Sequence, residues 1–166
     1  MEYIDTKIPG FKLRFAERED APLIVKYIKD LATYENELEL VNVTPEVLEK
    51  SMFDRNGAEV IIGEYEGMPV GFALFHNSFS TFIGRPGIGL VDLYIEPPMR
   101  SKGFGKSILA YLAKLTIERD CGRLEWWCHD WNESAIKLYK KWGAFPLQEI
   151  RVYRLSDDAL EELSKK

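Results

Sequence analysis

This chain has little of what several common functions require. It carries only two cysteines, Cys121 and Cys128, too far apart for a CxxC pair and too few for a disulfide framework. Only two histidines, His76 and His129, accompany them, so no zinc ligand set is expected and the metal expectation is none. Basic residues are not in excess: the net charge is -5 and the pI is about 5.2, which disfavours nucleic acid as the partner. No apolar run approaches the ~20 residues needed to cross a bilayer, and the start MEYIDTKIPG lacks the charged-then-apolar pattern of a secretory signal. The expectation is an intracellular, reduced, cytoplasmic setting with no membrane partner. Two phosphate-loop patterns are also missing. There is no Gly-x-x-x-x-Gly-Lys-Ser/Thr, and Gly-x-Gly-x-x-Gly fails because Ile108 occupies its last position. With no repeat, linker or low-complexity stretch, one domain over residues 1–166 is expected.

What is present is organised around one stretch. Leu90, Val91, Leu93, Tyr94 and Ile95 form a β-prone apolar run that ends at Pro97-Pro98. Arg100-Ser101-Lys102-Gly103-Phe104-Gly105-Lys106-Ser107 follows, and then Phe104, Ile108, Leu112 and Leu115 recur at helical spacing, with Leu109 and Thr116 beside them. Glycines at a helix start let the backbone approach a ligand closely. The first turn's N–H groups have no partner inside the helix, so they suit a phosphate or pyrophosphate. Arg100, Lys102 and Lys106 add charge at the same place.

Taken in order, Phe11–Phe15 alternates like a strand, and Asp20 is placed to cap a helix starting at Ala21-Pro22, with Leu23, Ile24, Tyr27, Ile28 and Leu31 as its buried stripe. Residues 34–39 read as an acidic loop, and Thr44-Pro45-Glu46 as the start of a second helix reaching about Phe53. Residues 60–65 and 69–75 form a hairpin around Glu66-Gly67, and 79–86 reads as a loop. After the long helix, residues 124–128 are a strand, and Asn132 caps a helix running to Trp142 with Gly143 as its stop. Residues 145–147 and 150–155 are the last strand candidates, and 157–166 is a short charged helix or tail. The order predicts an α/β fold: a mixed, mostly antiparallel twisted sheet flanked by helices, with one central parallel β-α-β step.

Asn132 and Tyr139 fall on one face of their helix, with a rise between them of roughly 10 Å. By themselves they read as a cap and a buried tyrosine. Cys128, between Trp127 and His129, reads as packing.

The spacing Arg100-x-x-Gly103-x-Gly105 between strand and helix resembles the acetyl-CoA site of the GCN5-related N-acetyltransferases (GNAT). The string from Asp130 to Ala144 resembles W-N-x-x-A/S-I-x-x-Y-x-x-x-G-A of the same superfamily, closest to its spermidine/spermine (diamine) N-acetyltransferase branch. Further matches are 32–35, 82–87 and 152–155, so the resemblance covers nearly the whole chain. It implies acetyl-CoA as cofactor, a small primary amine (polyamine, diamine or lysine-like) as acceptor, direct attack in a ternary complex, and a homodimer. It also implies that the backbone of Leu93, Tyr94 and Ile95 holds the pantetheine arm, that the turn from Arg100 through Ser107 binds pyrophosphate, that Asn132, Ser134, Ala135 and Tyr139 help hold the cofactor, and that Tyr139 is also the general acid. A phenol of pKa ~10 stays protonated beside a leaving thiol of pKa ~8.5.

The same resemblance implies substrate contacts at Tyr34 and Glu35. Asp92, Glu125, Trp126 and Trp127 are further candidates, the tryptophans as an aromatic wall. Three positions depart from the family. Val91 stands where a carboxylate deprotonates the amine, Gly89 where many relatives carry an aromatic, and Arg151 where an acidic contact is usual. Strand alternation sets Asp92 on the opposite face from Val91. The alternatives are a non-catalytic acyl-CoA-binding module, which Val91 and Arg151 favour and Tyr139 opposes, and acetylation of a protein amino group.

Overall fold

The computed structural model describes residues 2–166 and divides into two compact units, one ending at Trp127 and the other spanning Cys128–Lys166. In the first, six strands lie in the order β1 (Ile4–Asp5), β2 (Phe11–Phe15), β3 (Glu59–Tyr65), β4 (Met68–Ser80), β5 (Arg85–Ile95) and β6 (Leu124–Trp126). All neighbours are antiparallel except β5 and β6, which the helix α3 (Phe104–Glu118) joins as a parallel crossover. The expected α/β architecture is therefore present.

Helix α1 (Ala21–Glu35) covers one face of the sheet. Its Ile24 and Tyr27 are fully buried against Val60, Ile62, Phe72 and Tyr94, with the Tyr27 ring 5.5 Å from Phe72. Helix α2 (Pro45–Glu49) adds Leu48 to that core; the Thr44 hydroxyl caps it from 3.3 Å, and it continues as a π turn through Asp54. Helix α3 covers the other face. Phe104 stacks on Phe11 at 4.2 Å, and its Ile108 side chain lies over Gly63. Its buried residues are Phe104, Ile108, Leu109, Leu112, Leu115 and Thr116, the stripe read from spacing.

Several expectations are corrected. Asp20 is not a side-chain cap: Arg14, buried between strands, holds its carboxylate at 2.6 and 2.8 Å and binds Glu64 at 2.6 Å. A buried guanidinium needs both partners more than a helix end, which water can reach, needs one. The expected acidic loop from Tyr34 begins later, because α1 runs through Glu35 and stops at Asn36 in the left-handed region. The loop expected over 79–86 shrinks to residues 81–84. Pro86, expected in that loop, and Gly87 pair in register with Phe79 and Ser78. β1 was not anticipated, and β6 is shorter than 124–128.

In the second unit, α4 (Glu133–Lys141) and α5 (Asp157–Ser164) form as read, with Gly143 at φ +91° after α4. The strand candidates at 145–147 and 150–155 are not strands among the described residues. They are β-prone, but a strand exists only with a backbone partner, and Phe145, Ile150, Val152 and Tyr153 are exposed. No described helix is long and apolar enough to cross a membrane.

Candidate active site

The ladder between β5 and β6 pairs Ile88 with Leu124, Gly89 with Glu125 and Leu90 with Trp126, and extends no further. At that point β5 also slips against β4. Leu74 faces Asp92 while Phe75 faces Leu90, so Val91 is the extra residue of a β-bulge. The simple alternation that set Asp92 opposite to Val91 does not hold across such a bulge.

Beyond it, the direction of the backbone groups follows from one bond. Glu96 N–H donates to the Val70 carbonyl of β4 at 2.9 Å. Alternate residues of a strand point their N–H and C=O to opposite edges. Tyr94 therefore faces β4, and Leu93 and Ile95 face the side on which the parallel ladder has ended. The Ile95 carbonyl accordingly accepts Arg100 Nε at 2.9 Å. Two backbone donors, Leu93 N–H and Ile95 N–H, thus line an opened strand edge, an arrangement suited to an amide-bearing arm and to a carbonyl that gains negative charge.

The turn that follows passes twice through the left-handed region, at Ser101 (φ 63°) and Gly103 (φ 86°). Glycine is needed at the second because a Cβ is strained there. Gly103 is the N-cap of α3 and supplies no side-chain oxygen, so the first N–H groups of α3 are left for a ligand. The first N–H bonded back into the helix is that of Ser107, to Gly103 O at 2.9 Å.

The side chains of this turn differ in part from the expectation. Arg100 is tied to Ile95 and lies over the Tyr34 ring at 4.8 Å and the Tyr94 ring at 5.6 Å, so it fastens the turn to β5 and α1. Lys102 leans on Met99 Sδ at 3.4 Å and over Tyr65. Phe104 is buried, and only its N–H is available to a ligand. Lys106 and Ser101 are exposed, while Gly105 and Ser107 are partly covered. Tyr94 is buried in the α1 core, leaving its neighbours Leu93 and Ile95 as the donors.

Asp92 lies on β5 and Glu35 ends α1, both in the first unit. Burial, and secondarily the negative charge of Glu35, pushes the Asp92 carboxyl up to about 6. A carboxylate at that value accepts a proton near neutral pH far more readily than an ordinary aspartate. Strand alternation alone does not mark Asp92, because its burial and the nearby charge of Glu35 arise from tertiary packing that no local pattern reveals. Glu125, Trp126 and Trp127 sit together on the far side of the bulge, around a cavity that also takes in His76, Ser78 and Gly89.

In the second unit, Asn132 caps α4. Its Oδ1 accepts from Ala135 N–H at 3.4 Å and from the Ser134 hydroxyl at 3.2 Å, which ties the three expected cofactor residues of this helix to one another. Tyr139 is half-buried and meets Trp142 edge-on at 6.1 Å. Burial first, and then Cys128, raises its pKa above the ordinary phenol value, so it is protonated at neutral pH.

Comparison with known proteins agrees with this geometry. The sequence matches the Acetyltransferase (GNAT) family over residues 26–144. It is 32% identical to a thialysine N-epsilon-acetyltransferase from Bos taurus over a 166-residue alignment covering 93% of this chain and 97% of that protein. It is 39% identical over 95 residues to an L-ornithine N5-acetyltransferase from Arabidopsis thaliana, covering 57% of this chain but only 42% of that protein. In structure it resembles an integron cassette protein from the mobile metagenome of V. cholerae, with a TM-score of 0.78, 23% identity, and coverage of 95% of this chain and 99% of that one.

Proposed function

This chain belongs to the Acetyltransferase (GNAT) family, within its diamine-acetyltransferase branch, and is an acetyltransferase; we propose that its acceptor is a small primary amine of the polyamine, diamine or lysine-like class. The observation that carries the reading is the opened edge of β5, where Leu93 and Ile95 present N–H groups between the bulge at Val91 and the uncapped start of α3.

Acetyl-CoA supplies the acetyl group as a thioester when bound. In this proposal Leu93 and Ile95 donate to its pantetheine amide and acetyl carbonyl, and the N–H groups of the turn from Ser101 through Ser107 take the pyrophosphate. Asn132, Ser134 and Ala135 hold the arm at the start of α4. Asp92, with Glu35, accepts the proton of the attacking amine, taking the place of the carboxylate that Val91 lacks. Tyr139 donates its proton to the departing sulfur. One N–C bond forms and one C–S bond breaks, and no enzyme-bound acetyl group is required, so Cys128 has no part. The family match runs across both compact units, which supports their acting as one acetyltransferase domain. A cytoplasmic homodimer completes the proposal. The exposed apolar residues Ile150, Val152, Tyr153 and Leu155 of the second unit support the dimer, and light scattering in solution tests it.

Free-thiol release from acetyl-CoA against spermidine, putrescine, lysine, thialysine and small monoamines tests the function. Turnover confined to one amine class supports the reading. Tight acetyl-CoA binding without turnover on any amine would favour the acyl-CoA-binding module instead.

A further inference from the structure

A glycine inside a strand gives up a packing side chain and marks a place where something else comes close. The first unit has two of them side by side. Gly63 of β3 and Gly71 of β4 are buried register partners, in a row that runs Leu13, Gly63, Gly71, Ile95 across four strands. Side chains in such a row share a face of the sheet. Phe11 and Ile108 lie over Gly63, so this is the α3 face. The bare position at Gly71 is filled by Ile95. A Cβ at Gly71 would meet Ile95 Cδ1 at 2.6 Å and would lie closer still to the Tyr94 carbonyl oxygen, a backbone atom. The same Ile95 side chain reaches the first turn of α3, where a Cβ at Gly105 would lie 3.7 Å from Ile95 Cγ1.

Ile95 thereby joins the two ends of the cofactor site. Its N–H is one of the two donors on the opened edge of β5. Its carbonyl accepts Arg100 Nε at 2.9 Å, where the turn begins. The peptide after it is held from β4, through the Glu96 N–H and the carbonyl of Val70, the residue before Gly71. The turn has its own anchor: Phe104 stacks on Phe11 at 4.2 Å, and Ile108 sits over Gly63. A displacement of Ile95 is therefore not followed by α3, and it changes the spacing between the donor edge and the helix start.

We propose that Gly71 is a positioning residue for acetyl transfer. Its bare face seats Ile95, which fixes the spacing between the Ile95 N–H and the first N–H groups of α3, so that binding of the pyrophosphate end holds the acetyl end in register with its donors. The inference rests on the proposed acetyl-CoA site and goes beyond it, because it gives β4 a part through a residue that touches no substrate.

The test compares two acetyl donors, acetyl-CoA and S-acetylpantetheine, which ends before the pyrophosphate. The readout is the ratio of their kcat/KM values with the best amine at saturation. Ordinary contact starts at 3.4 Å, so Gly71→Ala forces Ile95 and the β5 backbone back by about 1 Å, and a misplacement of about 1 Å costs up to about 100-fold in rate. S-acetylpantetheine is held by the edge alone and moves with it, whereas acetyl-CoA has to span both ends. The ratio should therefore fall by at least about tenfold in Gly71→Ala. A merely structural role lowers the amount of folded enzyme and takes both donors down together, so an unchanged ratio overturns the proposal. Should Gly71→Ala fail to fold, Ile95→Val decides: it removes only Cδ1, the atom seated on Gly71, and should lower the ratio by about threefold or more, while an unchanged ratio again overturns the proposal. If wild type acetylates no amine, the acetyltransfer reading fails by itself, and the same ratio is taken from the affinities of CoA and pantetheine by calorimetry. A CoA preference in wild type that shrinks in the variants sustains the positioning role, and a preference that is absent or unchanged overturns it.

Discussion

Replacing Asp92 with asparagine should stabilise the protein while impairing it. The carboxyl of Asp92 rises from 3.8 to about 6 on folding, by burial and then by Glu35. A folded pKa above the unfolded one means that the native state holds the proton more tightly, so stability falls as pH climbs through this interval. The penalty is absent below pH ~3.8 and complete above pH ~6. At about 1.4 kcal/mol per tenfold, its full size is about 3 kcal/mol. Asparagine keeps the shape and carries no charge. Urea unfolding of wild type and Asp92→Asn should therefore coincide near pH 4 and separate toward pH 8, with the variant the more stable by up to about 3 kcal/mol. Its kcat/KM for any accepted amine should fall by about 100-fold, because the proton acceptor is gone. Glu35→Gln should move the acid limb of the wild-type pH–rate profile to lower pH, since the repulsion that raises Asp92 is removed. A variant less stable than wild type at pH 8, or a difference of equal size at pH 4 and pH 8, would refute the electrostatic account of this residue.

Three other perturbations separate the roles of single residues. Gly103→Ala forces a Cβ into the left-handed region at φ 86°, which costs about 1–2 kcal/mol, and acetyl-CoA affinity measured by calorimetry should drop by about tenfold as the turn relaxes. Tyr139→Phe should lower kcat by at least about 100-fold and leave acetyl-CoA affinity within threefold, read from single-turnover thiol release and calorimetry; an unchanged kcat removes the tyrosine as acid. Arg14→Ala strands the carboxylates of Asp20 and Glu64 in the sheet and should destabilise the first unit by about 3–5 kcal/mol in denaturant titration, with no selective effect on KM for either substrate.

The parts of the fold that came directly from sequence are those in which local pattern and tertiary burial agree. The stripe from Phe104 to Thr116 is the buried face of α3, and the Glu66-Gly67 turn sets the β3–β4 hairpin. The Thr44 and Asn132 caps form as read. What was not legible depended on distant partners. Asp20 looks like a cap until Arg14 claims it from a neighbouring strand. Residues 150–155 carry strand propensity but no described ladder partner. The bulge at Val91 is a slip between β4 and β5, and no feature of β5 alone marks it. Gly87 and Gly89 lie within the paired length of β5, opposite Ser78 and His76, a register set by β4 that no pattern in β5 alone shows.

The account turns on direct transfer at the opened edge of β5, with amine and acetyl-CoA bound together. An initial-velocity grid varying acetyl-CoA against the best amine tests this most directly. Intersecting double-reciprocal lines, with the pattern retained in Cys128→Ala, are the predicted result. Parallel lines, with acetyl label recovered on the protein before any amine is added, would contradict it.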